Sequence, residues 1–88
     1  MLDNKVVTIN ATASEILQGD SDGGEWMLVN KTGEVLYLGA SDVTADTTAG
    51  TGGFQVAIDA VVTGRVKAGD SLYGVTASTG GAVPIMWN

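Results

Sequence analysis

Few residues in this sequence could do chemistry, and the nearest approach to a site is an acidic run in a Gly-rich stretch. Asp20 and Asp22 alternate with Ser and Gly, and Glu25 follows three residues later. Carboxylates at alternate positions beside a glycine begin the pattern of a calcium-binding loop. The third carboxylate position and the distal bidentate Glu are missing. An ordinary solvated turn is therefore the favoured interpretation, and weak calcium binding by Asp20, Asp22 and Glu25 is the alternative.

A second candidate is the glycine cluster at positions 50, 52 and 53, whose composition suits a phosphate cradle. No Lys-Ser or Lys-Thr pair follows it and no helix is expected to begin there, so the charge that such a site needs is missing. We expect a flexible loop instead.

Asn10 and Asn30 begin formal glycosylation sequences. Without a secretion signal we interpret both as chance, and Asn30 also suits the turn it would occupy.

Catalytic side chains are scarce as well. The chain has no His and no Cys, which removes the commonest general bases, zinc ligands and thiol nucleophiles. Ser and Thr are plentiful, but none has an evident activating base. A glycosidase pair of carboxylates needs a cleft, which 88 residues hardly enclose. We therefore predict no enzyme and no cofactor, and no metal beyond the weak calcium alternative.

Charge and length limit the partners and the stability of the chain. Ten acidic and four basic residues give a net charge of -6, so neither nucleic acid nor an anionic membrane is expected to be a direct partner. An 88-residue domain buries only about 60% of the surface that its unfolded chain exposes. Disulfides and common zinc sites need the residues that are absent. Oligomerisation is the remaining source of stability.

No apolar run reaches the length of a membrane span and the first ten residues lack a signal pattern, so we expect synthesis in a cytoplasm.

The strongest strand signals lie in residues 25–30 and 34–39. Both segments are rich in residues that suit a pleated, half-buried surface. Lys31-Thr-Gly33 between them fits a type I turn closed by a glycine bulge, with Gly33 in a left-handed conformation. The sequence therefore predicts that the two segments form a hairpin.

The second of these strands is apolar on both faces. Leu36 and Leu38 point to one face, and Val35 and Tyr37 to the other, because successive strand side chains alternate. A strand with one solvated face would not have this pattern. We expect a central strand whose outer face is covered by another sheet or another subunit.

Other segments also predict short strands, at residues 5–10, 54–58, 61–66, 71–77 and 82–87. Strand starts recur about every ten residues, a spacing typical of a sandwich or small barrel. For residues 11–18, extended structure that carries Ile16 and Leu17 to the core is favoured over a single helical turn. The fold prediction is all-β: one domain over residues 1–88, a small antiparallel β-sandwich or partly open barrel of about six to eight short strands. Residues 1–4 are assigned to a flexible arm.

Three details of this prediction concern strand ends and connections. The long polar connection at 40–53 is expected to be functional or to cross between sheets. Phe54, Val56 and Ile58 are expected to point inward. Pro84 cannot donate to a ladder, so the last strand is expected at an edge, or with the Pro84 nitrogen facing outward.

Several turn and strand signatures lie between Trp26 and Trp87. They are Asn30-Lys-Thr-Gly33, Val35-Leu-Tyr-Leu-Gly39, Ser41-Asp-Val-Thr44 and, after a Gly-rich loop, Gly69-Asp-Ser-Leu-Tyr-Gly74. This pattern resembles a family of small structural proteins of tailed bacteriophages, of the head-decoration, head-fibre or minor capsid type. Residues 57–66 depart from the family pattern, because they are longer and more apolar.

The resemblance implies a non-enzymatic capsid decoration or stabilising protein on the outer head surface of a virion, assembled in the cytoplasm of a bacterial host. It implies a homo-oligomer, with a trimer favoured at a capsid three-fold position, and the major capsid protein as partner. From the residues themselves we expect subunit or capsid contacts at Leu2, Leu36, Leu38 and Trp87, the last because a terminal aromatic has little core left to join. Two alternatives remain: another phage component, such as a tail tube, connector or fibre anchor, and a carbohydrate-binding β-sandwich with exposed aromatic rings.

Overall fold

The computed structural model describes residues 2–19 and 24–88. Within them the chain forms two four-stranded antiparallel sheets. The strands are β1 (Asp3–Ile9), β2 (Ser14–Gln18), β3 (Gly24–Val29), β4 (Leu36–Gly39), β5 (Phe54–Val56), β6 (Val61–Val66), β7 (Ser71–Val75) and β8 (Gly81–Trp87). Sheet A has the order β1-β8-β3-β6, and sheet B the order β2-β7-β4-β5. The predicted all-β class and sandwich architecture are confirmed.

Each strand pairs with the strand at the mirror position in chain order. β1 pairs with β8, β2 with β7, β3 with β6 and β4 with β5. The chain is thus one long two-stranded ribbon, closed at the β4–β5 connection. When this ribbon folds back on itself, the pairs β1–β8 and β3–β6 form sheet A, and the pairs β2–β7 and β4–β5 form sheet B. This arrangement is a jelly roll. Apart from β4 and β5, every two consecutive strands among these eight lie in opposite sheets.

The predicted hairpin of residues 25–39 is therefore wrong. β3 belongs to sheet A and β4 to sheet B, so residues 30–35 cross between the sheets. The partners of β3 are β6 and β8, both distant in the chain. The strand signals themselves are correct, and Gly33 has the expected left-handed backbone, with φ of 80°. Local sequence predicts a strand and a turn here, but it does not specify which strands pair.

The hydrophobic core lies between the two sheets. β2 carries both Ile16 and Leu17 into it, as the favoured prediction required. A shift in the β2–β7 register between Glu15 and Leu17 is a β-bulge, which allows two consecutive residues to face inward. The buried cluster consists of Ile9, Ile16, Leu17, Trp26, Leu28, Leu36, Leu38, Val56, Val66, Val83 and Ile85.

Leu36 and Leu38 cannot make subunit or capsid contacts, which corrects that prediction. Their exposed fractions are 0% and 5%, because the face of β4 that carries them packs against sheet A inside the same chain. β4 is a central strand of sheet B, between β7 and β5, as expected.

Asn30 holds the crossing segment in place. Its side chain is fully buried. Nδ2 donates to the carbonyl oxygens of Glu34 at 2.7 Å and Val56 at 3.0 Å. Oδ1 accepts from the amide of Thr32 at 3.0 Å and from the Thr32 hydroxyl at 2.6 Å. A carboxamide has two N–H donors and two acceptor lone pairs, so its hydrogen-bonding capacity is filled within the protein.

The connection at residues 40–53 contacts the outer face of sheet B through Val43, at the end of β4. β4 and β5 are neighbours in that sheet, so this connection does not cross between sheets. Val43 is buried against the outer side of Gly39 and Gly53. A Cβ at Gly53 would lie 2.7 Å from Val43 Cγ2 and 2.8 Å from Tyr37 Cβ. Gly39 and Gly53 thus allow Val43 to pack closely against the end of β4.

The last strand is not at an edge, because β8 lies between β1 and β3. The β3–β8 ladder ends with Leu28 opposite Ile85 and is resumed by a single bridge between Lys31 and Ala82. The interruption falls beside Pro84, which has no N–H to donate.

Two of the three residues expected to point inward from the β5 region are exposed. Val56 is buried, but Phe54 is 66% and Ile58 52% exposed. β5 has only three residues and forms the edge of sheet B. Phe54 lies opposite Leu38 at this open edge, and Ile58 lies beyond the end of the strand.

Asn30→Ala should lower the free energy of unfolding by about 2–4 kcal/mol, because it leaves buried carbonyl and hydroxyl groups without their partner. Urea denaturation followed by Trp fluorescence measures the change. Asn10→Ala is the matched control: Asn10 Oδ1 accepts an exposed hydrogen bond from the Thr12 amide at 2.9 Å, and its loss should cost under about 1 kcal/mol. Equal losses for the two variants would contradict the role given to Asn30.

Asp46 should make the covering loop sensitive to acid. Hydrogen bonds from the Thr48 amide, the Thr48 hydroxyl and the Ala49 amide hold the pKa of its carboxyl below the ordinary value. Stabilisation by the carboxylate is therefore complete above the unfolded-state pKa of about 4 and is lost as the pH falls through the lower folded-state pKa. The protection factors of the Thr48 and Ala49 amides against hydrogen exchange should fall over that range in the wild type and not in Asp46→Asn. An Asp46 carboxyl that titrates by NMR at or above the ordinary value would refute this.

Candidate functional site

The two sheets differ in what covers their outer faces. On the outer side of sheet B, Val43 of the 40–53 connection is buried against Gly39 and Gly53. On the outer side of sheet A, large apolar side chains are exposed: Val6 at 66%, Val61 at 62%, Met27 at 41% and Met86 at 39%. Their strand neighbours face the core, so the alternation of strand side chains places these four residues on the outer face.

The exposed apolar residues of sheet A form contiguous rows. In one row, Val6 lies opposite Pro84 on β1 and β8, and Val29 lies opposite Val61 on β3 and β6. In the next row, Met86 lies opposite Met27. Side chains directly opposite each other in an antiparallel pair have Cβ atoms about 4.5–5.5 Å apart. We call this surface the apolar band, and it consists of Val6, Met27, Val29, Val61, Pro84 and Met86.

An ion pair lies at each end of the apolar band, measured along β3. At one end Arg65 Nη1 donates to Glu25 Oε1 at 3.5 Å. At the other, Lys31 Nζ donates to Asp59 Oδ1 at 3.1 Å. All four side chains are more than half exposed, so these pairs contribute little to folding stability. Their effect is to leave the ends of the band without net charge.

Much of the acidic charge that the structure describes lies away from this face. Glu15 belongs to β2 of sheet B, and Asp42 and Asp46 lie in the loop that covers sheet B. Glu34 is in the crossing segment, where its carboxylate accepts from the amides of Ser78 at 3.0 Å and Gly80 at 2.7 Å. Outer sheet A is thus apolar and electrically balanced in a chain of net charge -6.

Two of the predicted contact residues lie at the end of sheet A. Leu2 is exposed and Trp87 half-buried, and both line a shallow groove together with Trp26 and Met86. Lys5 Nζ lies 5.3 Å from the centre of the Trp87 ring. This groove adjoins the apolar band, so the prediction located one margin of the exposed surface. It did not include Val6, Met27 or Val61.

The calcium alternative is only partly within the structure. Asp20 and Asp22 lie outside the described residues. Glu25 is described, and its carboxylate is paired with Arg65. In residues 2–19 and 24–88, no three acidic, His or Cys side chains are grouped so that they could hold a metal ion.

One of the two Trp rings is buried, and no membrane-spanning helix is found in residues 2–19 and 24–88. The described part of the chain contains no helix with the length and hydropathy needed to cross a bilayer. Trp26 is 9% exposed and belongs to the core, so this ring is not available to stack on a sugar.

Comparison with known proteins gives a likeness of fold. No protein-family model matches the chain, and no curated protein does. Among solved structures, the chain is similar to a protein of Bacillus endospore appendages, which form a novel family of disulfide-linked pili. The TM-score is 0.51 at 19% sequence identity, over 99% of this chain and 85% of the other. Likeness at this identity concerns the fold, which here is an eight-stranded sandwich of two antiparallel sheets.

Proposed function

We propose that the chain is a non-catalytic structural subunit that acts by packing the outer face of sheet A against further protein in a large assembly. The apolar band carries this proposal. Burial of apolar side chains is worth about 1.5–3 kcal/mol for a residue that becomes fully covered. Val6, Met27, Val61 and Met86 are already partly covered, so a partner would gain about 1 kcal/mol from each.

The band also gives a chain of this size a binding role that needs no catalytic centre. An exposed contiguous apolar surface on a soluble protein is typical of an interaction site. The jelly roll supplies a flat and rigid support for it, because the band is built on four hydrogen-bonded strands. A rigid face loses little conformational entropy on binding.

Within this class we propose capsid decoration on the outer head surface of a bacteriophage. The turn signatures shared with small phage structural proteins support it, and jelly rolls are common in viral capsids. The partners are then further copies of the chain, with a trimer favoured, and the major capsid protein. The location is the virion, and Leu2 and Trp87 are the contact residues that remain accessible. Fold alone does not determine function, so the turn signatures carry this finer proposal.

A bacterial surface appendage is the second candidate. The similarity in fold to the Bacillus endospore appendage protein favours it. That protein forms disulfide-linked pili, whereas this chain has no Cys. An appendage made of this chain would therefore be held together by non-covalent packing of surfaces such as the apolar band.

Electron microscopy of the purified protein, alone and mixed with phage capsids that lack it, tests these proposals. We expect ordered assemblies or decorated capsids, and Met27→Asp should abolish them because it places an acidic group in the apolar band. Gln55→Asp adds the same charge to an exposed position on β5 of sheet B and should leave assembly unchanged. Filaments formed alone would favour the appendage, and decoration would favour the capsid role. A wild-type protein that neither assembles nor binds capsids would refute the structural role.

A further inference from the structure

The charges around the apolar band form a symmetric pattern. On β3 and just beyond it, Glu25 stands three residues before Leu28 and Lys31 three residues after it. On the neighbouring strand, Arg65 stands three residues after Val62, and the turn before that strand places Asp59 three residues before Val62.

These two strands share a common centre, because Leu28 and Val62 lie directly opposite each other. The same row continues across the sheet, with Ile85 opposite Leu28 and Lys5 opposite Ile85. Along the outer face of β3, and likewise along that of β6, an acidic residue is followed by apolar or small side chains and then by a basic residue.

We propose that this face binds a second copy of the chain, related by a two-fold axis that runs across the strands over the Leu28–Val62 row. This deepens the proposed function by naming the partner, and it rests on that function. The rotation places Glu25 over Lys31 of the second copy and Arg65 over its Asp59. An isologous contact of this kind needs a self-complementary surface, and the sequence of charges supplies one.

The same rotation covers the apolar band. Met27 faces Val29 of the second copy, and Met86 faces its Pro84, since the two members of each pair are equally distant from the central row. On β1, Val6 faces Asn4 of the second copy. An axis running along the strands between β3 and β6 would also pair the charges, but it would leave β1 and β8 without a partner. An axis along the strands between β8 and β3 would cover all four strands but would not place the opposite charges over each other. The transverse axis is therefore the one that both pairs the charges and covers the whole band.

The size of the face sets the strength of the contact. Four strands about 4.8 Å apart and up to seven residues long give a face of roughly 450 Å² in projection. Standard interfaces bury about 800 Å² of accessible surface on each partner. The pair should therefore be a weak, micromolar dimer in solution that becomes durable when other contacts of an assembly reinforce it. On a three-fold capsid position it would join neighbouring trimers.

Paired charge reversals test the arrangement by sedimentation equilibrium at low ionic strength, where exposed charges are least screened. Glu25→Lys alone should weaken the dimer by about tenfold, because two attractions become two repulsions. Glu25→Lys with Lys31→Glu should restore dimerisation, since the exchange again places opposite charges at these two positions of facing copies. It does so although both ion pairs within the chain become repulsive.

Glu25→Lys with Arg65→Glu is the matched control. It preserves the ion pair within the chain but turns all four attractions between the copies into repulsions, so it should fold normally and dimerise about a hundredfold less tightly than the wild type. Normal dimerisation of this control, or no recovery in the first double variant, would overturn the transverse axis. A wild-type protein that is monomeric at every concentration would overturn the dimer itself. The structural role would survive that result if ordered assemblies or decorated capsids still formed.

Discussion

The fold depends on one buried carboxamide. Asn30 ends the run of β3 in sheet A, and its side chain binds the crossing segment that leads to β4 in sheet B, together with the carbonyl at the end of β5. It thus joins both sheets through the backbone rather than through side-chain packing. Glu34, four residues later, fixes the same crossing to the connection before β8 through its carboxylate. In this fold the segments that cross between the sheets must fix the pairing register of the strands they join. A strand that slipped by one residue would turn its core side chains outward.

The exposed apolar surface follows from how such a small jelly roll covers its faces. Two four-stranded sheets have two inner faces, which meet in the core, and two outer faces. One long connection, residues 40–53, packs Val43 on the outer side of sheet B at the end of β4. Sheet A keeps an exposed apolar band. The sequence suggested an uncovered apolar face at β4, but that face belongs to sheet A, since Leu36 and Leu38 of β4 lie in the core of their own chain.

The sequence predicts the strands of this fold better than their partners. Local pattern was enough for the extended path at Ile16 and Leu17 and for the left-handed Gly33. It could not show that β3 and β4 belong to different sheets, because the pairing partners lie up to tens of residues away. Because strand pairing could not be predicted, the apolar band was not identified from the sequence either. Trp26, Met27 and Leu28 are all apolar, and only the packing of sheet A shows that Met27 is the exposed residue among them.

In the proposed contact between two copies, the free energy and the orientation of binding have separate sources. The apolar band supplies the free energy of contact, because covering apolar area is favourable in any orientation. Exposed ion pairs add little net affinity, yet like charges brought face to face are costly, so the charges at the ends of the band select among orientations. A chain of net charge -6 repels its own copies over most approaches. The balanced face of sheet A is where that repulsion is weakest, and it is also where apolar residues remain to be covered. Both conditions favour a contact between copies at the same place.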